Sequence, residues 1–154
     1  MTDDYLLLEN ISWAALLLAS YRRYLGSDLI PPGSPKAQAE ALFYAPFAVL
    51  SHGTQPDPIF NYGNQTTLDL WEIDWPTFTQ MPSRLSTEPV LREERAHLLA
   101  ELNRKNYFEN GKGIRISSQG RRFFVKNFTL WNVIDEAGTW RGQAAMFSEW
   151  AFLD

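Results

Sequence analysis

Apolar positions over residues 4–25 recur at helical spacing. Leu7, Ile11, Ala14, Leu18, Tyr21 and Leu25 follow one another at intervals of three and four, which predicts a helix. Gly26 stops it. A second apolar row, Leu6, Trp13, Leu17 and Tyr24, lies beside the first. A helix apolar around more than half its girth needs partners on two sides. One wide face buried in its own domain satisfies that need, and so does a contact with a second subunit.

Residues 26–36, rich in Ser, Pro and Gly, form a loop or short linker. The pattern divides the chain into an N-terminal helix at 1–26, serving packing or dimerisation, and a compact unit at 37–154. A short helix over 37–44 ends at Pro46. Phe47–Ser51 and Pro58–Tyr62 read as two strands around the turn cluster His52–Asp57, and so as a hairpin. Gly63 breaks the second strand, and Asn64 caps a helix at about 65–72. Residues 75–86 look irregular, with Pro76 and Pro82. A helix follows at 88–105, where Leu91, Leu98 and Leu102 share a face. Glu88–Arg92 and Glu101–Lys105 are favourable pairs four apart. Asn110-Gly111 reads as a tight turn. Beyond it, 113–118, 122–134 and 140–153 alternate as strands joined by turns at Gln119-Gly120 and 135–138, an antiparallel meander.

A hairpin, a helical excursion and a three-stranded meander combine into one five-stranded antiparallel sheet, with the last strand central. Helices cover one face, because a sheet must bury its apolar side. The order resembles the PAS sensory domain, in which an Asn opens the helix after the first hairpin and an apolar residue follows about six positions later. Asn64 and Leu70 stand there. A closer resemblance is to the MEKHLA family, a PAS-like group. It rests on VLSHG at 49–53, DPIFNYGN at 57–64, LWE at 70–72, MPSR at 81–84, TEP at 87–89 and REER at 92–95. It continues through GIRISSQGRRF at 113–123, LWNV at 130–133, GQAAMF at 142–147 and EW at 149–150. The resemblance implies an α+β fold with a PAS-like sheet and an N-terminal helix, in the freestanding bacterial form. Plant relatives carry this domain at the C-terminus of homeodomain–leucine-zipper transcription factors. These 154 residues hold no DNA-binding or zipper pattern, so that role is not carried over.

Composition narrows the chemistry. Hydrophobic residues make up 45% of the chain, which argues for a packed core. Aromatics reach 14%, unusually heavy, so either the core is aromatic-rich or a pocket or interface uses the surplus. With no cysteine, thiolate metal sites, thiol nucleophiles and cysteine photochemistry are excluded. Two histidines, His52 and His97, cannot make a histidine-rich metal cluster. A net charge of −4 argues against nucleic-acid binding. The acidic start and the short apolar run Trp13–Ala19 fit neither a signal peptide nor a membrane span, so the expectation is a cytoplasmic protein off the membrane.

Candidate sites follow. Gly63-Asn64 lacks the Lys and Ser/Thr of a phosphate loop, so Asn64 is a helix cap. Ser51 and His52 are strand neighbours, which point to opposite faces and form no dyad. Glu72 and Asp74 read as solvated helix ends rather than paired catalytic acids. Trp71, Arg84, Trp131 and Gln143 are the first candidates for a pocket between the sheet and the helices at 65–105. Arg84 and Arg115 together suggest an anionic ligand, against a structural Arg–Glu network holding the helical excursion on the sheet. No cofactor is required. The PAS resemblance raises haem on His97 and flavin near Gln143, where Gly142, Ala144 and Ala145 leave room. The expected function is a non-catalytic sensory module that binds a small molecule and signals through a partner protein or homodimer. The alternative is a ligand-free interaction or dimerisation module. A small hydrolase and a haem sensor come after these.

Overall fold

The computed structural model describes residues 4–88 and 92–153. A 3-10 turn at Asp4–Leu6 leads into helix α1, Leu8–Leu25. Gly26, at φ 80°, closes α1 by donating its N–H to Arg22 O. Such a left-handed cap suits glycine, which has no Cβ to clash. Helix α2, Pro35–Phe43, starts two residues earlier than the apolar pattern suggests. The reason is local: Ser34 Oγ accepts from Ala37 N, and Pro35 occupies the first turn, where its missing N–H costs nothing.

Strands β1 (Ala48–His52) and β2 (Phe60–Gly63) form the hairpin, and α3 (Gln65–Trp71) follows at once. The segment expected to be irregular holds a four-residue helix α4, Trp75–Phe78, capped by Asp74, and a 3-10 turn at Ser83–Ser86. Helix α5 runs Arg92–Lys105, and Leu91 lies outside the described residues. Glu88 does not join that helix. Its N–H donates to Ile114 O and its carboxylate pairs with Arg122, while the Arg92 side chain expected to pair with it lies outside the described residues.

Strand β3 spans Tyr107–Ile116, six residues longer at its start than expected. Asn110-Gly111 is therefore no turn. Asn110 takes φ 62° inside β3, Asn127 takes φ 52° inside β4 (Arg122–Ile134), and the pairing register shifts around Gly111. Asn tolerates the left-handed region well enough to build bulges as well as turns. The last strand is split at Ser148 into β5 (Trp140–Phe147) and β6 (Glu149–Phe152), both antiparallel to β4. The sheet runs β2-β1-β5-β4-β3, so β5 is central, with β6 also on β4.

Cross-strand partners share a face, and the register separates two. Ser51, Ala144, Trp131 and Tyr107 form one row. Helix α1 lies on it: Trp131 Nε1 donates to Leu17 O at 3.0 Å, Trp13 Nε1 to Ser51 Oγ at 2.9 Å, and Tyr21 meets Trp131 edge-on. Ser20 Oγ accepts from Ile134 N at the strand end. Leu17, Trp131 and Val133 are fully buried. The remaining apolar side of α1 meets α2 and the first turn, where Tyr5 stacks on Phe43. Both partners of the wide helix thus lie within the chain, and α1 is part of the core rather than an appendage.

The strand-to-helix corner is held by one side chain. Asn64 is fully buried. Its Oδ1 accepts from Val49 N, Thr67 N and Thr67 Oγ1, and its Nδ2 donates to Leu42 O and Phe47 O. It joins the ends of α2, β1 and α3.

Asn64→Ala is expected to lower the stability of the chain by about 3–4 kcal/mol in urea denaturation, since a cap and several buried partners are lost together. A loss no larger than that of an ordinary cap, about 1 kcal/mol, would reduce Asn64 to a helix start. Deleting residues 1–25 bares Trp131, Val133 and Ala144. The truncated chain is expected to lose cooperative thermal unfolding, and a folded, cooperatively melting truncation would show α1 to be dispensable.

Candidate ligand-binding face

The other face of the sheet is covered differently. Leu50, Ala145, Leu130 and Phe108 form a cross-strand row, with His52, Gln143 and Asn132 as the next. Leu50 is buried, but Ala145, Leu130, Phe108, His52, Gln143 and Asn132 are all half-buried. At the α3–α4 end the face is closed by aromatic rings: Phe60 stacks on Phe78, and Trp71 meets Phe78 and Phe123 edge-on. Towards β3 it is roofed by α5, which touches it through the His97 ring edge on Phe108. Helix α5 is predominantly polar, and Leu102 is its buried anchor.

A packed cluster on this face follows from spacing along β3. Gly111, Gly113 and Arg115 alternate. A Cβ on Gly111 would stand 2.0 Å from the Phe128 ring, and one on Gly113 would stand 3.0 Å from Arg115 Nη1. The ring and the guanidinium therefore lie over bare backbone, with the guanidinium carbon 5.4 Å from the ring centroid of Phe128. Phe128 in turn lies 6.3 Å from Phe108. Arg115 Nη1 donates to Thr87 Oγ1 at 3.0 Å and to Ile114 O at 3.2 Å. No carboxylate pairs with Arg115 among the described residues, whereas Arg22, Arg84, Arg104, Arg122 and Arg141 each have one. Burial lowers the Arg115 pKa from 12.5 to about 10, so it remains charged at neutral pH without a counterion.

The five residues nominated from the sequence do not meet. Arg115 and Gln143 lie on the α5 side of the sheet. Arg84 is exposed and pairs with Asp57 at 3.2 Å. Trp131 faces α1, with its indole N–H bound to Leu17 O. Trp71 is fully buried in the aromatic end of the core, where its Nε1 has no protein partner among the described residues. Tyr62 Oη is likewise unpartnered, and burial raises the Tyr62 pKa. The Arg–Glu network expected to tie the excursion to the sheet is present in one pair, Arg122 with Glu88, where the guanidinium lowers the carboxyl pKa. Ser51 Oγ donates to Asn61 Oδ1, while His52 Nδ1 bonds Gly53 O, so the two do not interact. Asp74 caps α4, and Glu72 Oε2 accepts from Ser117 Oγ at 2.6 Å. His97 is exposed. No group of three or more potential metal ligands occurs among the described residues.

A separate open cleft of about 600 Å³ lies between α4, the 3-10 turn and the end of β3, lined by residues that include Ile73, Met81, Leu85 and Ser117. None of the nominated residues lines it. The residues that sequence reasoning missed are Gly111, Gly113, Phe108, Phe128 and Thr87. The alternation Gly-x-Gly-x-Arg was the available signal, and reading Asn110-Gly111 as a turn concealed it.

This strand order with a helical excursion after the first hairpin defines a PAS-like domain. Solved structures agree. A PAS domain from Colwellia psychrerythraea superposes with a TM-score of 0.61 at 13% identity, over 77% of this chain and 95% of that one. The light-state dimer of the fungal blue-light photoreceptor Vivid gives 0.59 at 14% identity, over 90% and 93%. At the sequence level the MEKHLA domain matches residues 11–152, and the chain belongs to that family. Curated relatives include the homeobox-leucine zipper protein HOX29 of Oryza sativa subsp. indica, 29% identical over 145 residues, and ATHB-9 of Arabidopsis thaliana, 23% identical over 151. The alignments take in 87% and 94% of this chain but 16% and 18% of those proteins, so the chain spans less than a fifth of their length. Among the described residues no helix is long and apolar enough to cross a membrane.

Because burial desolvates the Arg115 charge, its folded pKa lies below the unfolded value. The charge therefore costs stability at neutral pH, and that cost fades as pH rises through about 10. Arg115→Met is expected to leave stability at pH 7 unchanged or raise it by up to about 2 kcal/mol, the ring contact with Phe128 offsetting part of the gain. Denaturant titration checks this. A loss above about 2 kcal/mol would mark Arg115 as a structural tie.

Proposed function

We propose that this MEKHLA domain is a non-catalytic, PAS-like sensory module that binds a small molecule between the sheet and α5 and signals through protein contacts. The observation that carries the reading is the difference between the two sheet faces. Helix α1 seals one with buried indoles and hydrogen bonds. The other presents a half-buried row, Ala145, Leu130 and Phe108, beneath a polar helix. A ligand seated there removes apolar surface from water and adds contacts for α5. Occupancy therefore shifts the balance between a loosely and a firmly docked helix. The reactive groups weighed from sequence are engaged in caps and structural hydrogen bonds, which favours binding over catalysis.

A second reading is a ligand-free interaction module in which a partner protein or second copy covers this face. The exposed Leu99 on α5 is compatible with it. The sequence expectation that the N-terminal helix makes such a contact is less favoured, because α1 packs on its own sheet.

Backbone amides of 92–105 are expected to exchange with deuterium faster than those of α1. Binding of a hit from a metabolite library, found by thermal shift, should slow exchange in 92–105 selectively. If no compound raises the melting temperature while light scattering reports a concentration-dependent dimer, the interaction reading replaces the sensory one.

A further inference from the structure

We propose that the ligand is a small carboxylate with an apolar body, its carboxylate held by Arg115 and its body lying along the half-buried Phe108 and Leu130. The inference rests on the sensory reading and adds the chemical class of the ligand.

Arg115 carries unused donors. A guanidinium offers five N–H groups in a planar fork. In this chain only Nη1 has protein acceptors among the described residues, Thr87 Oγ1 and Ile114 O. Nε and Nη2 have none. They are not sealed either, for the enclosed unpartnered side-chain atoms among the described residues are Tyr62 Oη and Trp71 Nε1. Open donors on a desolvated cation form a site for an acceptor that brings its own charge. The guanidinium is also pre-positioned. Gly113 leaves the space in which it lies, Thr87 holds one nitrogen, and the Phe128 ring supports its plane. Pre-positioning lowers the ordering cost of binding.

The surroundings select the anion. Arg115 is one positive charge; among the described residues Arg122 pairs with Glu88, and Lys112 is exposed. A single guanidinium balances a carboxylate. A phosphate dianion would keep an uncompensated charge in the same poorly solvated place. From the guanidinium the apolar cluster runs through the buried Phe128 ring to the half-buried Phe108, with Leu130 and Ala145 in the same cross-strand row. That surface suits hydrocarbon rather than a polyhydroxylated or multiply charged body.

The test uses three probes of matched shape: 4-phenylbutyrate, 4-phenylbutanamide and 4-phenylbutanol. Calorimetric titration of the whole chain is expected to show the acid binding about tenfold or more tightly than the amide or alcohol, the range expected for hydrogen bonds to a charged group. Arg115→Met should abolish that preference. Gly113→Ala retains the charge but crowds Nη1, and it should weaken acid binding while leaving alcohol binding unchanged. Should Arg115→Met fail to fold, Gly113→Ala and Arg115→Lys carry the comparison, the lysine keeping charge without the fork. Equal binding of acid and alcohol to the unaltered chain, or a preference that survives Arg115→Met, overturns the carboxylate assignment. Alcohol binding that still protects 92–105 would leave the sensory reading standing without it. A carboxylate that binds at Arg115 but leaves exchange in 92–105 unchanged would do the reverse.

Discussion

The fold depends on a single buried amide. Asn64 supplies acceptor and donor to three elements that would otherwise present unpaired backbone groups to the core: the end of α2, the start of β1 and the first turn of α3. Buried backbone groups without partners are costly, so a corner this tight requires a side chain with both donor and acceptor. Asparagine is short enough to lie inside it. The geometry sets where α3 leaves the hairpin and therefore where Trp71, Trp75 and Phe78 enter the core. Thr67, bonded through Oγ1 to both Val49 O and Asn64 Oδ1, extends the same network by one turn.

From that corner the chain covers the two faces of its sheet with unequal thoroughness. The α1 face is sealed by large rings whose polar atoms find partners, as buried indoles usually do. Trp131 and Trp13 illustrate this, one bonded to a helix carbonyl and the other to Ser51. The α5 face lacks this closure. Its roof is a charged helix in which Glu101 pairs with Arg104 and Lys105. Elements with few buried contacts open at low free-energy cost, which is the property a switch element needs. The more and the less firmly buried helices thus lie on opposite sides of one sheet.

Much of this organisation was legible in the residues. The helical period of α1, the cap at Asn64, the hairpin and the meander stood at or near their expected places, and the central last strand followed from their order. The errors share a cause. Asn110-Gly111 has the composition of a turn, yet a register shift compensated by Asn127 in the neighbouring strand absorbs it as a bulge. Pro76 and Pro82 suggested irregular chain, but the first sits inside a capped helical turn and the second precedes one. Glu88 belongs to the helix by its pattern, and its main-chain tie to Ile114 keeps it at the sheet, beside Arg122.

The candidate site was less legible than the fold. Trp71, Arg84, Trp131, Arg115 and Gln143 were chosen by residue type and motif, and type does not state which face of a sheet a side chain takes. That assignment depends on register, and one bulge reverses it. The sequence by itself determined the elements, their order and the family, because periodicity, caps and motif spacing are local properties. Only the tertiary structure decided that Trp131 belongs to α1, that Arg84 belongs to Asp57, and that Arg115 stands over Gly113 with no carboxylate partner among the described residues. Those are long-range pairings, and they are set by how strands align rather than by what each strand contains.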